Sequence, residues 1–220
     1  MADRQILMSA PMVRALRAGT KTQTRRIVKP QPAHSCHYEM NGAGNAALHL
    51  ADAGGPNQYV PPTPRSKDHR LPCPYGAPGD RLWVRENGWQ RPERSERDMR
   101  DGADTWPAYE YDADGIDHAH VELLKEWGWK RRPSIHMPRW ASRITLELTE
   151  VRVQRVQDIS AEDVLAEGIV DRWSRGNETW PAAQCDEARD EYRMLWESIN
   201  GLGSWAANLW VWALTFRVLP

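Results

Sequence analysis

Apolar residues near the start of the chain recur at helical spacing, in and just before the segment PMVRALRAGTKTQTRR at residues 11–26. This pattern predicts a short amphipathic helix, and the residues that follow the spacing are Met8, Met12 and Leu16. Gly19 predicts the end of the helix, because glycine readily adopts the positive φ of a helix terminus. We expect a short strand over residues 5–10 and a second strand over residues 24–28.

Three later segments have the pattern of strands. The segment CPYGAPGDRLWVRE at residues 73–86 predicts a sharp turn and then a strand in which apolar and polar positions alternate. Residues 144–156 alternate over a greater length and predict a long strand that can break near Glu150. Residues 209–219, LWVWALTFRVL, predict a closing strand, and their nearly continuous apolar character indicates burial on both faces for part of the length.

Two further segments have helical signals. Residues 160–168 begin at a candidate N-cap, Ser160, and end at a glycine. The acids that follow this N-cap, Glu162 and Asp163, have the positions of ordinary first-turn acids. Residues 183–199 predict the longest helix, with apolar and aromatic residues at spacings of three and four: Tyr192, Leu195, Trp196 and Ile199.

The remaining segments interrupt this pattern. Residues 29–78 are rich in Pro, Gly, Ala, Asn and His and predict a long loop or a partly disordered insertion, and residues 90–118 are acidic and irregular. Residues 170–183 predict a loop. Separated strands with short helices between them fit an α+β fold, a small mixed or antiparallel β-barrel with helices at its ends. We expect one domain over residues 1–220 with insertions at about 29–78, 87–140 and 170–205.

The amino-acid composition argues against several classes of protein. Among 220 residues, 29 Lys and Arg stand against 30 Asp and Glu, so the net charge of −1 creates no global field that would attract nucleic acid. Three scattered cysteines indicate a reducing, cytoplasmic setting and not a disulfide scaffold. No apolar run approaches the roughly 20 residues of a membrane span, and the N-terminus lacks a signal-peptide core. No membrane partner is expected, and any nucleic-acid binding must come from local patches.

Two stretches without acids could supply such patches, residues 11–29 and residues 130–143. In the first stretch, four residues with chemically useful side chains crowd within six positions: Lys21, Thr24, Arg25 and Arg26. A solvated basic surface is one interpretation. The other is catalytic, because a lysine amine with a depressed pKa can take the proton of a nearby threonine hydroxyl. Arg25 and Arg26 are cations that would depress the pKa of Lys21.

Two glutamates are candidate partners of this basic cluster. Glu167 is in the last turn of the predicted helix 160–168, where a carboxylate opposes the helix dipole and is sometimes retained for function. Glu86 ends the strand RLWVRE, where a carboxylate can recognise an amine or an amidine edge or pair with an arginine. Either glutamate could face Lys21, and a solvated surface position is the alternative for Glu167.

Four residues in the proline-rich segment are of the types that serve as zinc ligands in other proteins: Cys36, His37, His69 and Cys73. Their spacings match no common zinc finger, so we predict neither a metal site nor a cofactor. Tryptophan is abundant, with 12 residues against a single phenylalanine, and most of the 12 are expected in the core. Trp140 lies in the second basic stretch, where base stacking is an alternative.

Four segments, taken in order, resemble the ASCH superfamily: PMVRALRAGTKTQTRR, GDRLWV, ISAEDVLAEGI and LWVWALTFRVL. The resemblance covers about half of the chain, and the elaborated form looks like members found in phages and prophages. It implies a small PUA-like β-barrel to which the insertions are additions. It is much less specific for activity than for the superfamily.

The best-defined enzymes of the superfamily are small amidohydrolases that act on N4-acetylcytidine, with a G-x-K-x-x-T signature and a glutamate in a later helix. Gly19, Lys21 and Thr24 match the signature, and Glu167 matches the glutamate by its place before a helix end. The resemblance implies that Lys21 takes the proton of Thr24, whose oxygen attacks the acyl carbonyl. Glu167 would hold the base and protonate the departing N4 amine, and a basic pocket would stabilise the oxyanion.

The substrate-binding residues expected with this mechanism come from both basic stretches and from the strand that ends at Glu86: Arg25, Arg26, Arg85, Glu86, Arg139 and Trp140. Two adjacent arginines follow Thr24 here, whereas the small enzymes have an apolar residue and one arginine. The insertions could also cap or reshape the pocket. The substrate could therefore be a modified cytosine nucleoside, a nucleotide or a polynucleotide.

Two other functions remain open from the sequence. A PUA-like module could grip RNA or DNA through residues 14–29 and 130–143 without chemistry, and some members of the superfamily are thought to cleave RNA. The basic stretches fit all three functions equally. The trio of Lys21, Thr24 and Glu167 favours the hydrolase.

Overall fold

The computed structural model describes residues 3–31, 36–40, 46–50, 70–92, 108–169 and 182–220. Its strands are β1 (Asp3–Leu7), β2 (Gln23–Ile27), β3 (Cys36–Met40), β4 (Ala46–Leu50), β5 (Arg70–Pro72), β6 (Arg81–Arg85), β7 (Gly88–Gln90), β8 (Tyr109–Tyr111), β9 (Lys130–Arg132), β10 (Thr145–Arg155) and β11 (Trp210–Val218). Its helices are α1 (Ala10–Arg17), α2 (His118–Glu126), α3 (Ala161–Ala166) and α4 (Ala182–Asn200). The fold is α+β, with mostly antiparallel strand pairs and few helices.

A five-stranded mixed sheet, in the order β1–β6–β10–β11–β2, forms the centre of the fold. β1 and β6 are parallel, and the other neighbouring strands are antiparallel. β10 runs without interruption through Glu150, where the sequence allows a break, but its register against β11 shifts between Leu148 and Glu150. The predicted strands for β2, β6, β10 and β11 are confirmed, whereas β1 lies earlier than residues 5–10 because α1 already begins at Ala10.

Apolar residues of β11 are buried on both faces of this sheet, as the sequence predicts. Trp212 and Leu214 belong to the main core, to which α1 contributes Val13 and Leu16. Val211 belongs to a second core, beneath the two later helices, whose other members include Val164, Ala188, Tyr192 and Trp196. Burial of each large apolar side chain contributes about 1.5–3 kcal/mol, so the main core fixes α1 against the sheet and the second core fixes α3 and α4.

The prediction of a long loop over residues 29–78 was wrong where β3, β4 and β5 form a separate antiparallel sheet. These strands have three to five residues each and lie between segments rich in turn-forming residues. A short strand is stabilised by pairing with its neighbours, which local composition does not reveal. The rest of this segment, apart from its two ends, lies outside the described residues.

The prediction of irregular structure over residues 90–118 was wrong at β8, which pairs with β7 in a second small sheet that also contains β9. Gly88 allows this pairing, because a Cβ there would lie 2.2 Å from the main-chain oxygen of Glu110. The hydroxyl of Tyr111 donates to the carbonyl of Ala141 at 2.8 Å. Residues 93–107 lie outside the described part.

The two later helices, α3 and α4, lie close to where the sequence predicts them. Ser160 caps α3, accepting from the N–H of Asp163 at 3.1 Å, and α4 is the longest helix of the described residues. The loop predicted over residues 170–183 falls almost entirely outside the described residues, and α4 begins at Ala182. In the part of the chain that the structure describes, no helix combines the length and hydropathy of a membrane span.

Candidate active site

Lys21 lies in the short connection between α1 and β2, and main-chain hydrogen bonds hold this connection from both sides. The N–H of Lys21 donates to the carbonyl of Ala15 at 3.2 Å, and the N–H of Thr22 donates to the carbonyl of Ala166 at 2.8 Å. The chain leaves α1 through Gly19, which has a φ of 74°. These contacts bring the ends of α1 and α3 together at the start of β2.

The Lys21 ammonium is buried and bound to Glu167. Its Nζ donates to Oε2 and to the main-chain oxygen of Glu167, both at 2.7 Å, and the Lys21 side chain is 0% exposed. Burial lowers the pKa of Lys21 below its ordinary value, although the attraction of Glu167 opposes this shift. The charges of Arg26 and Arg25 lower the pKa further. Lys21 is therefore suited to giving up and taking a proton.

Glu167 reaches Lys21 because α3 ends there. Glu167 is the C-cap of α3 and is 6% exposed, and the following Gly168 has a φ of 89°. A Cβ at position 168 would lie 3.1 Å from the Cβ atoms of both Ala15 and Lys21. Glycine thus supplies both the positive φ and the space that this contact needs.

A network of charged side chains fixes the other oxygen of Glu167. Arg25 Nη1 donates to Glu167 Oε1 at 3.3 Å and to Gln23 Oε1 at 2.6 Å. Arg25 Nη2 donates to Asp163 Oδ2 at 2.6 Å. The other Asp163 oxygen accepts from Gln23 Nε2 and from Arg152 Nη2, both at 2.9 Å. Burial acts to raise the pKa of Asp163, but the Gln23 hydrogen bond and the arginine charges outweigh burial, so its pKa lies below the ordinary value.

Thr24 has a buried hydroxyl without a hydrogen-bond partner. The residue is 1% exposed, and no described residue, Lys21 included, hydrogen-bonds to its Oγ1. β2 holds Thr24 opposite Leu214 of β11, directly before Arg25 in the chain. Leaving a buried hydroxyl unsatisfied costs about 1–3 kcal/mol, so a bound molecule that completed this bond would be stabilised.

Thr24 and Glu167 line a cavity of about 350 Å³ next to β2, which is an edge strand of the central sheet. α4 supplies an aromatic wall with Tyr192 and Trp196, and the indole Nε1 of Trp196 has no partner among the described residues. The Arg25 guanidinium lies 5.8 Å from the centre of the Tyr192 ring. Burial raises the pKa of Tyr192 well above its ordinary value, with a smaller contribution from Glu167, so its hydroxyl stays neutral. Arg25 and Arg26 also line the cavity.

Glu86 is the glutamate that does not face Lys21. It is 1% exposed, and Arg143 Nε and Nη2 donate to its two carboxylate oxygens at 2.9 Å. Arg143 also pairs with Asp114 at 2.7 Å and stacks on the Tyr111 ring at 3.7 Å. Burial opposes a rise in the pKa of Arg143, but the bonds to Glu86 and Asp114 outweigh burial and raise it. Of the two open assignments, the contact with Lys21 belongs to Glu167, and the arginine pair belongs to Glu86.

Two other predicted substrate-binding residues, Arg85 and Arg139, lie against Trp83, and neither they nor Trp140 line the cavity. The guanidinium carbons of Arg85 and Arg139 lie 5.2 and 5.3 Å from the centre of the Trp83 ring. Arg85 also donates to Gln5 and to the carbonyl of Ile135, and Arg139 pairs with Asp3 at 3.2 Å. Trp140 is 59% exposed and meets Tyr109 edge-on at 6.3 Å between ring centres.

Sequence reasoning missed four members of the site: Gln23, Asp163, Tyr192 and Trp196. The interpretation of Asp163 as an ordinary first-turn acid was incomplete, since its carboxylate binds side chains of β2 and β10. Gln23 gave no signal, because its hydrogen bonds to Asp163 and Thr215 join residues that are 140 and 192 positions apart in the sequence. The sequence identifies Tyr192 and Trp196 only as part of the apolar face of a helix. The hydroxyl of Tyr192 and the indole N–H of Trp196 were the signal that this face could also bind a ligand.

Of the four residues considered for zinc, only Cys73 has a described side chain. It is a buried free thiol, and burial raises its pKa to about 11. The side chains of Cys36 and His37 and the whole of His69 lie outside the described part. Among described side chains, no cluster of three or more His, Cys, Asp or Glu residues could hold a metal ion.

Comparisons of the chain with protein-family models, with curated proteins and with solved structures found no match. The site itself combines a buried amine with a lowered pKa, a carboxylate bound to that amine and an unpartnered hydroxyl in a cavity wall. A base, an acid and a nucleophile are the groups that acyl transfer requires.

Proposed function

We propose that the protein is an amidohydrolase that removes an acyl group from an N4-acylated cytosine, using Lys21, Thr24 and Glu167. The observation that supports this proposal most is the buried contact of Lys21 Nζ with Glu167 Oε2 at 2.7 Å, beside a cavity whose wall holds the free Thr24 hydroxyl. The same three residues match the signature by which the sequence resembles the superfamily amidohydrolases.

In the first step the Thr24 oxygen attacks the acyl carbonyl carbon, and the neutral amine of Lys21 takes the hydroxyl proton, directly or across one water. Lys21 passes a proton to Glu167 along their 2.7 Å hydrogen bond. Glu167 then protonates N4 as the bond between N4 and the acyl carbon breaks. The products of this step are cytosine with a free amino group and an ester on Thr24.

In the second step water hydrolyses the ester. Glu167 takes the proton of the attacking water and passes a proton to Lys21 along their shared hydrogen bond. Lys21 gives that proton to the departing Thr24 oxygen, so the amine is again neutral, Glu167 is again a carboxylate and Thr24 is again a hydroxyl. Arg25 does not move a proton. It keeps one oxygen of Glu167 occupied at 3.3 Å, so that the other oxygen stays aimed at Lys21.

The cavity suits a flat polar base. Its volume of about 350 Å³ lies in the range of small-molecule sites, and Tyr192 and Trp196 give it an aromatic wall. The free Thr24 hydroxyl and the Trp196 indole N–H are polar groups that a carbonyl oxygen of the ligand would satisfy.

The architecture supports the PUA-like barrel that the resemblance implies. β1 and β2 are the two edges of the central sheet, and Arg26 of β2 donates from Nη2 to the carbonyl of Leu7 in β1 at 2.6 Å. A hydrogen bond between the two edges of one sheet is the contact expected when the sheet curls into a barrel. We propose that the central sheet closes into a barrel between β1 and β2.

Chromatographic detection of cytidine and acetate tests the proposed reaction. The purified protein is incubated with N4-acetylcytidine, with its 5′-monophosphate and with an oligonucleotide that contains the acetylated base. We expect release of the deacetylated base from at least one substrate, and equal release by a Lys125→Met variant, whose exposed side chain lies on α2. If none of the three substrates is deacetylated, the proposal is refuted.

A second function is favoured by the guanidinium groups of Arg85 and Arg139, which lie against the Trp83 ring, and by the exposed Trp140, which follows Arg139 in the chain. Guanidinium groups interleaved with aromatic rings are typical of single-stranded nucleic-acid binding. A labelled oligonucleotide titrated at rising salt should bind with an affinity that falls as salt rises. Trp140→Ala should weaken that binding about tenfold, since one stacked base contributes roughly 1–3 kcal/mol. Binding that ignores both salt and Trp140 would exclude this function.

A further inference from the structure

Two cations in the lining of the cavity lie outside the network of ion pairs around Lys21 and Glu167. Arg26 and Lys29 both line the cavity. The Arg26 guanidinium donates to carbonyl oxygens of Leu7 and Arg25 at 2.6 and 3.4 Å, and no described carboxylate pairs with it. Lys29 is exposed and likewise forms no ion pair with a residue that the structure describes.

The other cations of the site are already compensated. Three cations and three carboxylates form one connected set of ion pairs: Lys21, Arg25, Arg152, Glu150, Asp163 and Glu167. Arg26 and Lys29 are not members of this set, so two cations line the cavity without a carboxylate partner among the described residues. A ligand with two negative charges would complement them.

A neutral hydroxyl beside Arg26 adds a third donor to the cavity lining. Tyr75 lines the cavity together with Arg26 and Lys29. Burial raises the pKa of Tyr75, and the smaller effect of Arg26 in the other direction does not cancel this rise. The phenol therefore remains protonated at neutral pH and can donate to an anion. Two cations and a hydroxyl donor are the groups that bind a phosphate in many proteins.

Two buried polar groups in the cavity wall point independently to a ligand. Thr24 is 1% exposed and Trp196 is 4% exposed, yet Thr24 Oγ1 and Trp196 Nε1 are without partners in the described structure. The cavity thus offers unpartnered donors for a base and unbalanced cations for an anion. A nucleoside would satisfy the first set and leave the second set unused.

We propose that the substrate of this site carries a phosphate group, which Arg26 and Lys29 bind while the acylated cytosine lies against Tyr192 and Trp196. This inference rests on the proposed function, since it names the substrate class of the same site. The phosphate is either the 5′-monophosphate of a free nucleotide or a phosphodiester of a polynucleotide.

Calorimetric titration with cytidine and cytidine 5′-monophosphate tests the phosphate site without any turnover, because neither ligand carries an acyl group. We expect the monophosphate to bind at least about tenfold more tightly than cytidine at low salt. Lys29→Met should remove most of this difference and leave the affinity for cytidine unchanged. The matched variant Lys125→Met, on the distant surface of α2, should behave as the wild type does. Equal affinity for the two ligands, or a difference that Lys29→Met does not reduce, would overturn the inference.

A short unmodified oligonucleotide that contains cytosine identifies the source of the phosphate in the same titration. Tighter binding of the monophosphate assigns the site to a free nucleotide, and tighter binding of the oligonucleotide assigns it to a polynucleotide, provided that Lys29→Met weakens the tighter ligand. The deacetylation assay stays separate from this result. If the monophosphate binds through Lys29 but no acylated substrate is hydrolysed, the proposed function fails and the phosphate site stands.

Discussion

The Thr24 hydroxyl is the proposed nucleophile, and it makes no hydrogen bond that stabilises the described fold. Because Oγ1 has no partner among the described residues, Thr24→Val should keep the free energy of unfolding unchanged or raise it by up to about 1 kcal/mol. Mass spectrometry of the wild type, quenched early in the reaction with N4-acetylcytidine, should find an acetyl group on the peptide that contains Thr24. An acetyl group on any other residue, or a marked loss of stability in Thr24→Val, would contradict the assigned role.

The pKa of the Lys21 amine should set the pH dependence of the reaction. The amine acts as a base only when it is neutral, so kcat/KM should rise with pH and level off above the pKa of Lys21 in the folded protein. Burial places that pKa below the ordinary value of 10.5. Arg26 lowers it further, so Arg26→Gln should move the rising limb to higher pH. A pH profile measured with the unphosphorylated nucleoside checks this, and a limb that stays in place or moves to lower pH would be inconsistent with Lys21 as the base.

The two buried glutamates provide a matched pair of variants. Glu167→Gln should lower kcat/KM by about 10²–10⁴-fold, because the carboxylate that relays the proton is lost. Glu86→Gln weakens only the pair with Arg143, and should lower stability by about 1–3 kcal/mol without changing kcat/KM. Kinetics and chemical denaturation of both variants separate catalysis from folding. Equal losses of activity in the two variants would show that Glu167 has no special role.

The end of α3 is the structural element that sets the geometry of the site. Gly168→Ala introduces both an unfavourable φ of 89° and a Cβ 3.1 Å from the Cβ of Lys21. We expect a loss of about 2–3 kcal/mol and reduced activity as Lys21 moves away from Glu167. Gly201→Ala, after α4, has a similar φ of 95° but open space, so it should cost about 1 kcal/mol and leave activity intact. Unequal stability losses with equal activity would contradict the proposed coupling to Lys21.

Three of the four helices in the described residues, α1, α3 and α4, and the long strands were accessible from the sequence because their signals are local. α2 lies inside the segment expected to be an insertion and was not predicted. The Ser160 cap, the stop at Gly19 and the alternation of residues 144–156 each specify an element without reference to distant residues. The strands β3 to β5 and β7 to β9 have three to five residues and depend on pairing partners elsewhere in the chain. Such pairing leaves no periodic trace in a short, turn-rich segment, which is why these elements were missed.

The candidate site was only partly predictable because it is assembled across the molecule. Lys21, Thr24 and Glu167 were identified from a resemblance, but Asp163 and Gln23 acquire their roles through contacts that span about 140 residues. The net charge of −1 also conceals the local imbalance at Arg26 and Lys29. Charge balance within a cavity is a property of the folded chain, and no count along the sequence reveals it.

The rate of cytidine release from N4-acetylcytidine, compared between the wild type and Thr24→Val, decides whether Thr24 is the nucleophile. We expect catalytic release by the wild type and a fall of more than about 10³-fold in the variant, which should unfold at the same or a slightly higher temperature. Release that persists in a folded Thr24→Val protein, or a wild type that releases no cytidine above the uncatalysed rate, would overturn the proposed reaction.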